Sequence, residues 1–480
     1  MSDILLAAAA ALPLVAAAVL LVGALWPATK AMPVAWGTAV LVAATVWQLP
    51  VRWIAAATTW GVMLAIEILW IVFGALVLLF TLQQAGAIAR IASGFASISS
   101  DHRVQTILIG FFLTAFLTGV AGFGTPAAIV APLLVSLGFP ALAAVVVALV
   151  GHAIATTYGA VGVPISPGIA DAVGSLETVS AGEAAVFAGD VSGLAATYHV
   201  LPGLAMPLVT VSMLVYFFGD VPQRSLAAVR PVVPLALFAG VAFILPFTLT
   251  AVFLGPELPS IIAPIVGGGL TVGVLNRGWL LPDDQWHLPA DHTWPENWTG
   301  SPPENHADQP TGQQHTVTDG GQPLSLGRAW TPYFLLVVLL IGTRDFTPVG
   351  SALTRLDMFT LSWTGIFDTT LTNSIAWAYA PGTWLVATAL IAIPLYGLSG
   401  TEIKHAWQEA GETTIAPAVA LTFIIGTVGI LLHSGQYGGA PGSQSMMLAI
   451  ADGVGETFGG VYTAVVAPIG VVGTFVTGSV

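Results

Sequence analysis

The sequence predicts an all-α polytopic membrane protein of about 11–13 transmembrane segments, some of them broken helices. Three observations carry this reading. Hydrophobic residues make up 56% of the 480 and charged residues only 7%, with a mean hydropathy of +0.88, whereas soluble domains carry roughly 25% charge. Apolar windows near the spanning length of about 20 residues recur along the whole chain. Finally, residues 114–137 are apolar enough to lie in a membrane, yet hold Gly119, Gly122, Gly124, Pro126 and Pro132 where an ordinary span keeps aliphatic side chains.

Taken in order, the N-terminus M-S-D-I-L-L lacks the basic n-region of a signal peptide, so the apolar run at 4–26 predicts a first, retained helix. Further windows fall near 31–49, 60–82, 104–121, 140–157, 194–218, 229–253, 258–275, 329–342, 383–398, 414–432 and 460–476. Arg90, Arg103, Arg224, Arg230, Arg277 and Arg328 flank loops that the positive-inside rule assigns to the cytoplasm. Residues 163–191 have no Lys or Arg and carry Asp171, Glu177, Glu183 and Asp190, so they belong outside. An odd number of crossings must then separate Arg103 from Val163. The broken stretch is expected to supply it by crossing as two half-helices. His199, with Tyr198, reads as an interfacial aromatic-belt residue.

Residues 276–328 are the sustained polar stretch, rich in Pro, Asp and Glu, and predict a mobile cytoplasmic linker between membrane halves at 1–275 and 329–480. Its histidines, His287, His292, His306 and His315, match no compact metal spacing. The three glycines at 267–269 and the run A-P-I-G-V-V-G predict close helix packing rather than a ligand. Residues 434–445 predict a flexible turn or re-entrant loop. The net charge of −13 resides in loops, with Lys30 and Lys404 the two lysines, a surface suited to salty surroundings. There is no cysteine, so thiol and disulfide chemistry are excluded.

The interruption at 114–137 is the candidate site. Glycine admits backbone conformations other residues avoid and proline removes a donor, so the helix should unwind and restart near Pro126. Irregular backbone at membrane depth survives where it is buried in protein or lines a cavity. A restarted helix there aims free N–H groups and a positive dipole end at an anion, the usual architecture of a transporter's substrate site. Ionisable groups within spans are functional candidates by default. His152, followed by Thr156, Thr157 and Tyr158, and Glu67 in L-A-I-E-I-L-W are the two proton-coupling candidates; the plainer reading of each is a satisfied structural group. No H-E-x-x-H, G-x-S-x-G or Walker loop occurs, so no catalytic group, cofactor or nucleotide drive is expected, and transport would run on ion gradients.

F-L-T-G-V-A-G-F-G-T-P-A-A-I at 116–129, Y-G-A-V-G-V-P-I at 158–165, G-P-E-L-P-S-I-I at 255–262, R-A-W-T-P at 328–332 and V-G-T-F-V-T-G-S at 472–479 together resemble the L-lactate permeases. These carry lactate and glycolate with protons. The resemblance implies an inverted-repeat transporter in the plasma membrane that takes up L-lactate or another short 2-hydroxy monocarboxylate with protons. Its partners would be that substrate, protons and the lipid bilayer, with no nucleic acid. A small-anion channel, another organic-anion carrier or a sensor are the alternatives. His152 stands where the family usually has Asn. No Arg or Lys falls in the predicted interior, so backbone N–H groups around Gly122–Thr125 are expected to take the carboxylate. The expected substrate site comprises Thr118, Gly119, Gly122, Phe123, Gly124, Thr125, Pro126, His152, Thr156, Thr157 and Tyr158. Thr477, Gly478 and Ser479 complete it, since T-F-V-T-G-S near the end parallels A-F-L-T-G-V at 115–120. The family pattern continues beyond such a point, so the sequence predicts a truncated product, incomplete in its C-terminal half and poorly active.

Overall fold

The computed structural model describes residues 3–122, 125–170, 181–220, 226–299, 318–319, 322–344, 347–437, 444–461, 464 and 470. Among these, helices dominate, and strand is confined to two antiparallel ladders, Thr318–Asp319 with Gln322–Pro323 and Leu361–Trp363 with Asn373–Ile375. Among the described residues seven helices are long and apolar enough to cross a membrane, and five apolar helices of 10–17 residues accompany them. The protein is an all-α polytopic membrane protein. Its principal helices are α1 (Asp3–Ala18), α2 (Ala28–Thr45), α3 (Val51–Gln84), α4 (Ala87–Ala96), α5 (His102–Ala121), α6 (Thr125–Ser136), α7 (Ala141–His152) and α8 (Ala181–Tyr198). They continue with α9 (Val200–Phe218), α10 (Val233–Phe253), α11 (Pro259–Leu275), α12 (Leu326–Gly342), α13 (Pro348–Arg355), α14 (Pro381–Tyr396), α15 (Gly400–His433) and α16 (Met446–Phe458). Prolines set many starts. Pro27, Pro50 and Pro140 precede α2, α3 and α7, while Pro259, Pro348 and Pro381 open α11, α13 and α14, positions where a missing N–H is no loss. A capping box between Ser399 and Glu402 opens α15.

The apolar window of α5 is wholly buried, as a helix apolar on every side must be. It winds as a π-helix over Thr106–Leu113 and is enclosed by α3, α6, α7, α9 and α11. The two longest helices, α3 and α15, have 34 residues each. At about 1.5 Å rise per residue each exceeds the roughly 30 Å hydrocarbon core, so a membrane accommodates them tilted. They run antiparallel. Gln84 Nε2 meets His405 Nδ1 at 3.0 Å at one end, and Trp53 Nε1 donates to the His433 carbonyl at 2.9 Å at the other. Between these ends Gly61 and Gly429 bring the two backbones into contact. Gly267 does the same for α11 against α10, its absent side chain leaving room for the Ala242 carbonyl oxygen, and Gly268 faces Phe112; Gly269 has open space.

At one end of the bundle the arginine-bearing loops meet. The fully buried Arg103 guanidinium donates to Asp101 Oδ2 at 2.7 Å, Asp284 Oδ1 at 3.1 Å and the Ala228 carbonyl at 2.6 Å. Asp101 Oδ2 in turn accepts from the Trp286 N–H at 3.1 Å, and Arg90 Nε donates to the Leu324 carbonyl at 2.8 Å. Residues 276–299 are therefore tied to the helices and do not hang free as a mobile linker would: Trp286, Leu288 and Trp298 are buried. Residues 300–317 lie outside the described residues.

The broken stretch does not cross as two half-helices. The Leu137 carbonyl, just past α6, lies 3.3 Å from His102 Nε2 at the start of α5, and Phe139 packs edge-on against the His102 ring at 4.8 Å. The chain thus rises through α5, turns at Gly122 and returns through α6 as a hairpin. Residues 141–162, α7 and the turn after it, are long and apolar enough to supply a crossing.

The Arg103 network carries a stability prediction. Asp101 is 2% exposed and half the partnership of a buried cation, so Asp101→Ala should destabilise the protein by about 3–5 kcal/mol. The Asp284 side chain is 53% exposed, and its removal should change stability by less than about 1 kcal/mol. Thermal unfolding in detergent measures both; equal effects would show the network to be a surface feature.

Candidate functional site

Two interruptions meet behind α5. The first is Gly122, whose φ of −25° and ψ of −134° end α5, and the chain is helical again from Thr125 with Pro126 in the first turn, as the sequence predicts. Phe123 and Gly124 lie outside the described residues, as does the side chain of Thr125. The second interruption was not anticipated. After α7 the chain tightens into a 3₁₀ turn over Ala153–Tyr158, and then Ala160, Val161 and Gly162 take φ of 43°, 57° and 77°. The left-handed region is disfavoured for a β-branched residue such as Val161, and strained backbone of this kind concentrates at binding sites. A signal was present: Gly159 and Gly162 repeat the spacing of Gly119 and Gly122, each pair followed shortly by proline.

The breaks face each other across gaps only glycine allows. A Cβ on Gly122 would lie 3.2 Å from the Ala160 nitrogen, and one on Gly159 3.4 Å from the Thr118 carbonyl oxygen. A third irregular segment, the turn leading into α11, closes the cluster. A Cβ on Gly162 would lie 2.6 Å from the Pro256 carbonyl oxygen, and Gly119 abuts the Ser260 carbonyl. Ser260 Oγ donates to the Ala155 carbonyl at 2.7 Å, so this turn also satisfies a carbonyl of the 3₁₀ turn.

That turn brings in the group the sequence reading missed. Glu257 and Arg344 form a buried ion pair, Nη1 to Oε1 at 3.0 Å, with the residues 7% and 3% exposed. Ser166, four residues beyond the second break, donates to the same Oε1 at 3.1 Å. Arg344 also donates from Nε to the Leu340 carbonyl and from Nη2 to the Tyr379 carbonyl, each at 3.2 Å, and stands 4.5 Å over the Tyr379 ring centroid. Contrary to the expectation of an interior without Arg or Lys, a guanidinium is held beside the breaks. It escaped notice because Arg344 follows the apolar window of α12 and reads as a loop residue.

The other expected residues are distributed as follows. Thr118 is buried and donates to the Thr114 carbonyl at 2.8 Å; Thr156 donates to the Ala153 carbonyl at 2.7 Å. Tyr158 is buried and donates to the Ser192 carbonyl. Thr157 Oγ1 lies 3.0 Å from His199 Nε2, so His199 is a partner of the 3₁₀ turn, whereas Tyr198 is 72% exposed. His152 ends α7, and its Nδ1 is buried without a hydrogen-bond partner. Glu67 is half-buried within α3. Thr477, Gly478 and Ser479 lie outside the described residues, so the parallel between the two ends of the chain stays an expectation.

Comparison with known proteins adds what geometry cannot. The family model for L-lactate permease matches residues 6–480. The chain is 28% identical over 319 residues to an L-lactate permease of Bacillus subtilis, covering 66% of this chain and 50% of the relative. It is 34% identical over 195 residues to an L-lactate permease of Halalkalibacterium halodurans, covering 40% and 33%. Against the glycolate permease GlcA of Escherichia coli it is 28% identical over 302 residues, covering 63% and 48%. The chain thus spans about half the length, or less, of these relatives. No solved structure matches it.

Close backbone approach at the breaks predicts a position-dependent glycine effect. Gly162→Ala would force a side chain both into the left-handed region and onto the Pro256 carbonyl, and should destabilise by about 1–3 kcal/mol or more. Gly269→Ala, in open space on α11, should be neutral or gain up to about 1 kcal/mol from helix propensity. Melting temperatures of the two purified variants decide the matter, and a tolerated Gly162→Ala would show the junction to be loose.

Proposed function

The chain belongs to the L-lactate permease family, and on that premise we propose that it is a secondary active transporter of the plasma membrane, taking up L-lactate or a similar short 2-hydroxy monocarboxylate with a proton. The observation that carries the reading is the junction of two interrupted helices inside a multi-pass membrane protein. Irregular backbone is tolerated at such depth where it serves a site. The names of two relatives, L-lactate permease and glycolate permease, support this substrate class.

The chemistry of the junction suits such a substrate. A small hydroxy acid presents one carboxylate and one hydroxyl. Thr157 with His199, and the non-helical backbone at Ala160–Gly162, offer polar groups for the hydroxyl. Carrying a proton with the anion cancels the charge that otherwise makes passage through a low-dielectric interior unfavourable. His152, with its unbonded Nδ1, and Glu67 remain the proton-coupling candidates from the sequence.

Reconstituted into vesicles, the protein should accumulate lactate severalfold above equilibrium when the outside is acidic and lose that accumulation with a protonophore. Equilibration without response to the proton gradient would mark a channel or uniporter instead. Binding without flux would mark a sensor.

A further inference from the structure

Buried charge within a membrane protein is retained where it has work to do, and the Glu257–Arg344 pair lies against the second break. We propose, resting on the symport reading above, that this pair is the exchange point for substrate and proton: the substrate carboxylate replaces Glu257 on the Arg344 guanidinium, and Glu257 leaves that contact protonated.

Charge conservation supports the exchange. In the empty site Arg344⁺ and Glu257⁻ sum to zero. In the loaded site Arg344⁺, the substrate carboxylate and a neutral Glu257 again sum to zero, with one anion and one proton taken up together. A buried site that is neutral in both states avoids the desolvation penalty of an unpaired charge, which is several kcal/mol or more by order of magnitude. Either half-step alone would leave one charge uncompensated. The coupling is therefore a consequence of burial and needs no distant relay.

The geometry allows the swap. Glu257 engages Arg344 through a single Nη1–Oε1 contact, not the paired fork that makes arginine–carboxylate contacts strongest. A guanidinium has five N–H donors; among the described residues three of its nitrogens each make one protein contact, which leaves donors for a second carboxylate. Arg344 itself is fixed. Its carbonyl accepts from the Thr347 N–H and Oγ1, both at 2.8 Å, and abuts Gly350 at the start of α13. Glu257 sits on the turn between Gly255, with φ of 98°, and α11, and Ser166 can donate to either form of its carboxyl. Among the described residues, Arg344 is the charged group in contact with Glu257, and Tyr379 is the titratable group in contact with Arg344. Asp345 lies outside the described residues.

The experiment compares lactate counterflow, run at equal pH with loaded carriers, with accumulation driven by a proton gradient in vesicles of the full chain. Glu257→Gln mimics the protonated acid. It should keep counterflow within about threefold of wild type, lose gradient-driven accumulation, and bind lactate with a half-saturation that no longer varies with pH. Arg344→Gln should lose both activities, and Arg344→Lys should raise the half-saturation at least tenfold. A Glu257→Gln protein that accumulates lactate like wild type, or an Arg344→Gln protein with unchanged half-saturation, overturns the proposal. Folding is controlled with the double variant Glu257→Gln, Arg344→Gln, which removes the unpaired charge: recovery of stability without transport supports the exchange role, whereas recovery of both would reduce the pair to a structural one. Wild-type vesicles that show neither counterflow nor accumulation overturn the symport reading itself, and this inference with it.

Discussion

A backbone that leaves a helix inside a membrane must find every hydrogen-bond partner within the protein, and the core of this structure is arranged around that requirement. Helix α5 ends at Gly122, the chain after α7 unwinds through Ala160–Gly162, and the turn before α11 lies between them. None of the three could persist exposed to lipid. Together they shield one another, with Ser260 satisfying the Ala155 carbonyl and glycines removing the side chains that would hold the segments apart. The wholly buried α5 follows from the same demand, since it places the first break at the centre of the surrounding helices.

Charge obeys a parallel rule. Among the described residues two arginines are buried, and they are treated differently. Arg103 is saturated, with two contacts to Asp101 carboxylate oxygens through Nε and Nη2 and further bonds to Asp284 and the Ala228 carbonyl. That arrangement locks the loops of one end together. Arg344 has one carboxylate oxygen and two carbonyls, and its acid partner stands on a turn beside irregular backbone. A saturated pair resists exchange, whereas a singly bonded one can trade partners as long as total charge is conserved.

The first helix break was legible locally. The break at Gly122 and the restart at Thr125 follow from Gly and Pro chemistry within a few residues, so sequence sufficed. The second break was equally local, encoded in Gly159, Gly162 and Pro164, but an apolar setting and a short 3₁₀ turn masked it as continuous helix. Pairings were less accessible. His199 reads as a belt residue beside the exposed Tyr198, and its bond to Thr157 depends on how α9 is placed against the turn after α7. Return of α6 as a hairpin was likewise hidden, because an apolar half-helix has the same composition whether it continues across or folds back; the contacts of Leu137 and Phe139 with His102 decide it.

What the sequence determined by itself was the solvent and the family. Hydropathy, span length and the motifs of the L-lactate permeases are properties of contiguous residues, and a model of that family matches residues 6–480. What only the tertiary structure decided was which distant residues are in contact. Glu257 and Arg344 stand 87 positions apart, each at the edge of an apolar helix where a charge reads as an ordinary loop residue. Their meeting depends on how α11 and α12 are placed within the fold, and no local propensity encodes it. Burial then changes the character of the pair, because a charge that would be unremarkable in water becomes, inside the protein, one that must always be balanced.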